Sequence, residues 1–155
     1  MRKTDYSELC NELSALTVGV PHKIANLANA AALLFNTVEE INWAGFYLLE
    51  GDKLVLSAFQ GKPACIEIQV GKGVCGSAVE QGKTLVVKNV HEFKGHIACD
   101  SASMSEIVIP LFVNGRIWGV LDIDSPYEGR FDGQDKDGLE NFARILCHSI
   151  ESAEI

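Results

Sequence analysis

The sequence predicts an α+β fold in which a central, mostly antiparallel sheet of about six strands carries the terminal helices on one face. Two observations lead to this class. Apolar residues recur at helical spacing near both ends of the chain, and strand-like runs in the middle are joined by the turn signals Gly51-Asp52 and Asn114-Gly115. Because hairpins join antiparallel neighbours, the sheet is mostly antiparallel, and the helices cover one face of it.

The N-terminal part predicts two helices. Leu9, Leu13 and Leu16 form one stripe behind a candidate cap at Thr4 or Asp5, and a Gly-Val-Pro break follows. The run KIANLANAAALLF predicts the second helix, which Pro21 opens. The apolar stripe expected on it consists of Ile24, Leu27, Ala28, Ala31, Leu34 and Phe35.

The middle of the chain predicts strands and one short helix. NWAGFYLL and KLVLSAF form a hairpin around the first turn. The run CIEIQV alternates with period two, so Ile66, Ile68 and Val70 are expected on one face and Cys65 on the other. The glycine-rich GKGVCG enters the short helix, and TLVVKNV is a further strand.

The last third predicts a second hairpin and a closing helix. SEIVIPLFV and RIWGVLDID flank Asn114-Gly115, and the helix starts near Asp132. Its apolar face comprises Leu139, Phe142, Ala143, Leu146 and Ile150. The loop from Val90 to about Met104 is long enough to indicate a function.

Composition narrows the classes of function. A chain of 155 residues favours one domain over residues 1–155. The net charge is −8 and no run of Lys and Arg stands out, so nucleic acid and anionic membranes are poor partners. We find no signal peptide and no apolar run near the roughly 18–20 residues that a membrane span needs, so a cytoplasmic location is expected.

The five cysteines must be interpreted one by one, because their number is odd and no CxxC pair occurs. Cys10 and Cys147 lie near apolar helix stripes, where a thiol behaves as a small hydrophobe. Cys65 lies on the polar phase of its strand. Cys75 lies at a helix N-terminus, where the helix dipole would lower its pKa. Cys99 follows His96, which could accept its proton.

Burial explains any one of the last three cysteines alone, but together they favour redox chemistry. Zinc binding by His96 and Cys99, with Cys75, is the rival, yet a second spaced ligand pair is missing. The GKGVCG run does not fit a phosphate-binding P-loop. We therefore expect no metal and no cofactor.

Three carboxylates, Glu106, Asp122 and Asp124, interrupt the apolar strands of the second hairpin. A solvated strand end would explain them without any function. A two-residue turn would send Glu106 to the opposite face, whereas a three-residue loop of residues 113–115 would place it opposite Asp122. If the carboxylates converge, they raise one another's pKa and one could act as a general acid.

The motifs GKGVCG, GHIACDSASMSEIVIPL and GVLDIDS, together with Trp43, Tyr47 and Cys65, resemble the free methionine-(R)-sulfoxide reductases, which are single GAF domains. The resemblance covers essentially the whole chain and includes cysteine spacings of 10 and 24. It implies a GAF-like fold and the reduction of free L-methionine-(R)-sulfoxide to L-methionine. It also implies a thioredoxin-type reductant and a homodimer.

The resemblance also implies roles for individual residues. Cys99 matches the nucleophile that becomes a sulfenic acid, Cys65 its disulfide partner, and Cys75 an alternative or relay thiol. The carboxylates that hold the sulfoxide oxygen and the substrate amine match Glu106, Asp122 and Asp124. The aromatic wall near the S-methyl group matches Trp43 and Tyr47, although on pattern alone they could be hairpin core.

Two other functions fit the sequence pattern. A GAF-like domain could sense a small ligand without converting it, and the cysteines could switch a partner surface according to redox state. The absence of a visible output domain or linker argues against the sensor. Turnover of free methionine-(R)-sulfoxide separates the enzyme from both.

Overall fold

The computed structural model describes residues 4–95 and 102–153. Six strands form one sheet in the order β3-β2-β1-β6-β5-β4, and all neighbours are antiparallel, which confirms the predicted sheet. The helices are α1 (Tyr6–Thr17), α2 (Lys23–Thr37), α3 (Gly73–Gln81) and α4 (Gly133–Ala153). The strands are β1 (Trp43–Glu50), β2 (Lys53–Gly61), β3 (Glu67–Gln69), β4 (Leu85–Val87), β5 (Ser105–Val113) and β6 (Arg116–Ser125).

Helices α1, α2 and α4 pack together on one face of the sheet, as the terminal stripes predict. Alternate residues of the strands point into this layer because side chains change face at every step along a strand. The largest fully buried side chains there include Phe46, Ile107, Leu121, Ile123, Leu139 and Phe142. None of the helices in the described ranges is long and apolar enough to cross a membrane.

Helix α1 begins where the sequence predicts, because the side chain of Asp5 accepts a hydrogen bond of 3.0 Å from the Glu8 amide. The predicted stripes are too wide, however. Leu16 and Ile24 are 42% and 62% exposed, and Ala28 is also exposed. Apolar spacing does not specify how a helix is rotated, and only the side chains that meet the sheet or a neighbouring helix are buried.

The second hairpin turns on two residues, Asn114 and Gly115, which both have positive φ. Next to the turn, Val113 pairs with Arg116, as a two-residue turn requires. The register then shifts at a bulge between Leu111 and Phe112. The three-residue loop is therefore wrong, and so is the simple two-residue register.

The bulge decides where Glu106 lies. Glu106 pairs with Asp124 and not with Asp122, so it shares a face with both aspartates. The three carboxylates therefore converge on one face, as the three-residue loop would have predicted. The cause is the extra residue that the bulge inserts into β6. A bulge has little local sequence signature here, which is why the turn alone did not predict it.

Strand β3 is shorter than its sequence pattern indicates. Ile68 is buried at 6% exposure, but Ile66 lies outside the strand and is 70% exposed. The predicted strand therefore begins too early, and Ile66 does not share the burial of Ile68. The regular alternation ends where the chain leaves the sheet, so it no longer governs the side chain of Ile66.

Candidate active site

The sheet face opposite the three long helices carries the carboxylates. Glu106 on β5 pairs with Asp124 on β6, which pairs in turn with Trp43 on β1. Asp122 lies two residues along β6 on the same face, beside Gly45. Strands β1, β6 and β5 thus place an aromatic ring and three acidic groups side by side. Two of the acidic residues, Glu106 and Asp122, are buried.

Helix α3 covers the carboxylates with a thiol. The Sγ atom of Cys75 donates a weak hydrogen bond to Glu106 Oε2 at 4.0 Å. The sulfur and one oxygen each from Glu106 and Asp122 all lie within 4.8 Å of one another. Gly76 allows this close position, because a Cβ there would be 2.3 Å from the main-chain oxygen of Gln69.

Burial and like charges perturb the acid at the centre of this group. The pKa of Asp122 is raised well above its ordinary value, first by burial and then by the charges of Asp124 and Glu106. Its Oδ1 atom is buried and has no hydrogen-bond partner among the described residues. The surroundings of Asp122 therefore favour its protonated form.

The same surroundings correct the sequence-based prediction for Cys75. Its pKa is raised, and not lowered by the N-terminus of α3. The largest cause is burial, followed by the charges of Asp122 and Glu106, and these effects outweigh the helix dipole. Cys75 is thus a protonated, buried thiol and not an activated thiolate.

An aromatic stack forms the wall beside the carboxylates. The Trp43 and Tyr47 rings have centroids 5.9 Å apart, and the Trp43 and Phe59 rings 5.2 Å apart. Both Trp43 and Tyr47 are buried in the second apolar cluster, which lies between the sheet and α3. Gly45 leaves room for this stack, because a Cβ there would be 2.3 Å from Phe59 Cβ and 2.8 Å from Trp43 Cη2.

The polar atoms of the same rings hold a neighbouring chain segment. Trp43 Nε1 donates a hydrogen bond of 3.0 Å to the Lys62 carbonyl. The Tyr47 hydroxyl donates one of 3.0 Å to the Cys65 carbonyl. Sequence reasoning missed this second role, since the spacing of two aromatic residues reveals their common face but not the distant carbonyls they reach.

The cysteines fall into separate classes. Cys65 is disulfide-bonded, whereas Cys10, Cys75 and Cys147 are free thiols. Cys10 and Cys147 are buried in the helical core, which confirms their interpretation as packing residues. The predicted nucleophile Cys99, together with His96 and Asp100, lies outside the described residues.

Residues that the sequence analysis did not predict as site residues also lie beside the carboxylates. Ser103 is buried and its hydroxyl lies 3.2 Å from the side-chain nitrogen of Asn42, which precedes β1. The Met104 amide donates to the Ser125 carbonyl, and the Met104 carbonyl accepts from the Val90 amide. The segment that leads into β5 is therefore tied to the end of β6, next to Asp124. These contacts are long-range and leave no pattern in the sequence.

The described residues contain one set of three with the spacing of metal ligands, namely Cys75, Glu106 and Asp122. This set could hold a divalent cation through one sulfur and two oxygens. The predicted zinc ligands His96 and Cys99 lie outside the described residues. Carboxylates can equally accept charge-assisted hydrogen bonds from an organic ammonium group.

The fold and the site define a class of protein. The profile of the GAF domain matches residues 25–151. The chain is 54% identical to the free methionine-R-sulfoxide reductase of Escherichia coli, over 94% of this chain and 89% of that one. It is 43% identical to the free methionine-R-sulfoxide reductase of Saccharomyces cerevisiae, over 92% and 83% of the two chains.

A solved structure agrees with these sequence relatives. The free methionine-R-sulfoxide reductase of Neisseria meningitidis, in complex with its substrate, has a TM-score of 0.92 and 43% identity to this chain. The match covers 96% of this chain and 89% of that one. The chain is a GAF-domain protein, and within that class it belongs to the free methionine-R-sulfoxide reductase family.

Proposed function

We propose that this protein reduces free L-methionine-(R)-sulfoxide to L-methionine, and that residues 1–155 form one GAF domain. The observation that carries the proposal is the buried carboxyl group set beside the aromatic stack, in which the pKa of Asp122 is raised. Family membership supports the same reaction. The N-terminal helix α1 packs on α4, so it belongs to the same body as the matched region.

The carboxyl groups have two tasks in this reaction. A sulfoxide oxygen is a poor leaving group until it is protonated, and a carboxyl group with a raised pKa can supply that proton. The remaining carboxylates can pair with the ammonium group of the free amino acid. A methionine sulfoxide within a peptide has no such ammonium group, so burying these carboxylates against it would leave their charges unpaired.

The proposed chemistry uses two cysteines. The Cys99 thiolate attacks the sulfoxide sulfur, the oxygen is transferred with a proton, and methionine leaves while Cys99 becomes a sulfenic acid. The Cys65 thiol then displaces water and forms a disulfide. The disulfide-bonded state of Cys65 supports its role in this step. A role for Cys75 as relay thiol stays a prediction, and its raised pKa supports a slow one.

The remaining assignments extend the same proposal. Trp43 and Tyr47 form the wall against the S-methyl group, and Glu106, Asp122 and Asp124 bind the sulfoxide oxygen and the amine. A thioredoxin-type dithiol recycles the enzyme by thiol–disulfide exchange. A homodimer is also proposed, on the basis of the resemblance alone.

The deciding experiment measures consumption of free methionine-(R)-sulfoxide with dithiothreitol as reductant. Wild type should turn over, and Cys99→Ser should not, because a hydroxyl does not form the sulfenic acid. Cys10→Ala is the control, because Cys10 is buried in the helical core on the other face of the sheet. This variant should retain activity. Binding without turnover by wild type would instead favour a ligand sensor.

The carboxylate assignment has its own test in Glu106→Gln. Glu106 contacts the Cys75 thiol and shares a buried cluster with Asp122, so its loss should lower kcat by roughly 100-fold. The exposed Glu128 provides the control Glu128→Gln, which should leave kcat unchanged. An unchanged kcat in Glu106→Gln would remove this residue from the chemical step.

A further inference from the structure

Three main-chain carbonyls of segment 62–66 accept hydrogen bonds from residues of β1 and β2. Trp43 Nε1 reaches the Lys62 oxygen at 3.0 Å, and the Tyr47 hydroxyl reaches the Cys65 oxygen at 3.0 Å. The Leu56 amide reaches the Ile66 oxygen at 2.9 Å. A segment whose carbonyls are bound to the side chains of two buried residues and to a neighbouring strand keeps a defined conformation, so the surface that it presents outward is preorganised.

The outward surface of the segment presents one large apolar side chain next to the disulfide. Ile66 is 70% exposed and directly follows the disulfide-bonded Cys65, which is itself partly exposed. Two residues later, Ile68 is buried at 6% exposure. The chain therefore places one isoleucine in the core and leaves the one beside the disulfide in water.

The stretch that leads up to Cys65 adds no negative charge that would repel an incoming thiolate. The chain carries a net charge of −8, which repels anions in general. The stretch SAFQGKPACI, residues 57–66, contains Lys62 and no acidic residue. The next residue, Glu67, is ion-paired with Lys53 at 3.1 Å, which offsets its charge. A nucleophilic sulfur is an anion, so a stretch whose only charged residue is Lys62 opposes its approach less than an acidic stretch would.

Strand β3 adds backbone groups to the same surface. It is the last strand in the sheet, so one of its edges faces no other strand among the described residues. A free edge can accept an extended segment of another chain through main-chain hydrogen bonds. Ile66 immediately precedes this strand, so an apolar contact and a strand edge lie next to each other.

We propose that Ile66, with segment 62–66 and the edge of β3, is the docking surface for a dithiol protein that opens the disulfide at Cys65. The proposal rests on the reductase function proposed above. One thiolate of the partner attacks Cys65 Sγ, the S–S bond breaks, and the other cysteine of the disulfide leaves as a thiolate. The partner's second thiol then displaces Cys65 from the mixed disulfide.

Atoms and electrons balance in this exchange. The partner loses two electrons and two protons and becomes a disulfide, and the two cysteines of this chain gain them and become thiols. Dithiothreitol performs the same exchange without a docking surface, because it is small and makes few contacts. A comparison of the two reductants therefore isolates the contribution of the surface.

The test compares Ile66→Glu and the milder Ile66→Ser with wild type, using a bacterial thioredoxin with its reductase and NADPH, or dithiothreitol. We expect kcat/KM for thioredoxin to fall by roughly tenfold, the effect of losing one central apolar contact, and by more in Ile66→Glu than in Ile66→Ser. The rate with dithiothreitol should stay within about twofold of wild type. Ile24→Glu is the control, because Ile24 is 62% exposed on α2 and belongs to the opposite face.

A trapping experiment locates the attacked sulfur. A thioredoxin variant that retains only its attacking cysteine should accumulate as a mixed disulfide with Cys65, visible in a peptide map. Attachment elsewhere, or equal thioredoxin rates in wild type and both Ile66 variants, would overturn the docking surface. Absence of any turnover by wild type with dithiothreitol would instead overturn the proposed reaction, so the two failures are distinguishable.

Discussion

The two faces of the sheet use the same six strands for opposite purposes. The face under α1, α2 and α4 is lined by apolar side chains, among which Phe46 and Leu121 are fully buried. The other face combines a smaller apolar cluster with buried carboxyl groups, including Asp122, whose Oδ1 has no hydrogen-bond partner among the described residues. The first arrangement stabilises the fold, whereas the second buries polar groups at a cost in stability, on the face where we propose the active site.

The two-residue period of a strand separates the apolar core from the proposed site. Ile107 points into the helical core, and its neighbour Glu106 points to the thiol of Cys75. A single step along β5 therefore changes a residue from core to site. Substitutions on the two faces should have effects of different kinds.

The largest effect on stability is expected in the helical core, from Phe142→Ala. Phe142 is fully buried, so its truncation leaves a cavity and should lower the free energy of unfolding by about 3–5 kcal/mol. Chemical denaturation measures the change, and activity per folded molecule should stay the same. The control Ile24→Ala removes an exposed side chain, and its effect should lie within about 0.5 kcal/mol.

A smaller effect is expected from Gly45→Ala on the site face. The added methyl group would overlap Phe59 and Trp43, so the aromatic stack must move, at a cost of about 1–3 kcal/mol. Unlike Phe142→Ala, this change should also alter the tryptophan fluorescence and lower activity in the folded protein. Gly133→Ala is the control, since a Cβ at Gly133 has no neighbour within 4 Å. Equal activity in both variants would show that the stack is not part of the site.

The smallest effect on stability, and of opposite sign, is expected from Asp122→Asn. The pKa of Asp122 is raised in the folded state, so the stability that its proton provides is fully present below the ordinary value of 3.8 and is lost as pH rises toward the folded-state pKa. The variant has no such loss. At pH 7 we expect it to be more stable than wild type by on the order of 1 kcal/mol, while its turnover falls.

Thermal melts between pH 4 and pH 8 measure this difference. The wild-type melting temperature should decline with rising pH more steeply than that of Asp122→Asn. Asp137→Asn, at an exposed position on α4, should follow the wild-type curve. Identical slopes for wild type and Asp122→Asn would mean that Asp122 is ionised in the folded protein over this range, and the proton donor would then have to be another group.

The candidate site could be predicted from the sequence as a set of residues, but not as an arrangement. The motifs identified Glu106, Asp122, Asp124 and the aromatic pair, and the structure brings these described residues together. The chemical state of Cys75 could not be predicted, because its pKa depends on carboxylates that are 31 or more residues away in the chain. The helix dipole was the only local influence visible, and it is the weaker one.

The sequence by itself determined the order of the elements, since caps, turns and apolar periods act between residues a few positions apart. Asp5 begins α1 and Asn114-Gly115 closes the second hairpin for such local reasons. Only the tertiary structure decided that a bulge brings Glu106 opposite Asp124, and that Ile66 faces water while Ile68 is buried. Register, burial and the interaction of like charges depend on distant parts of the chain, and no short stretch of sequence contains them.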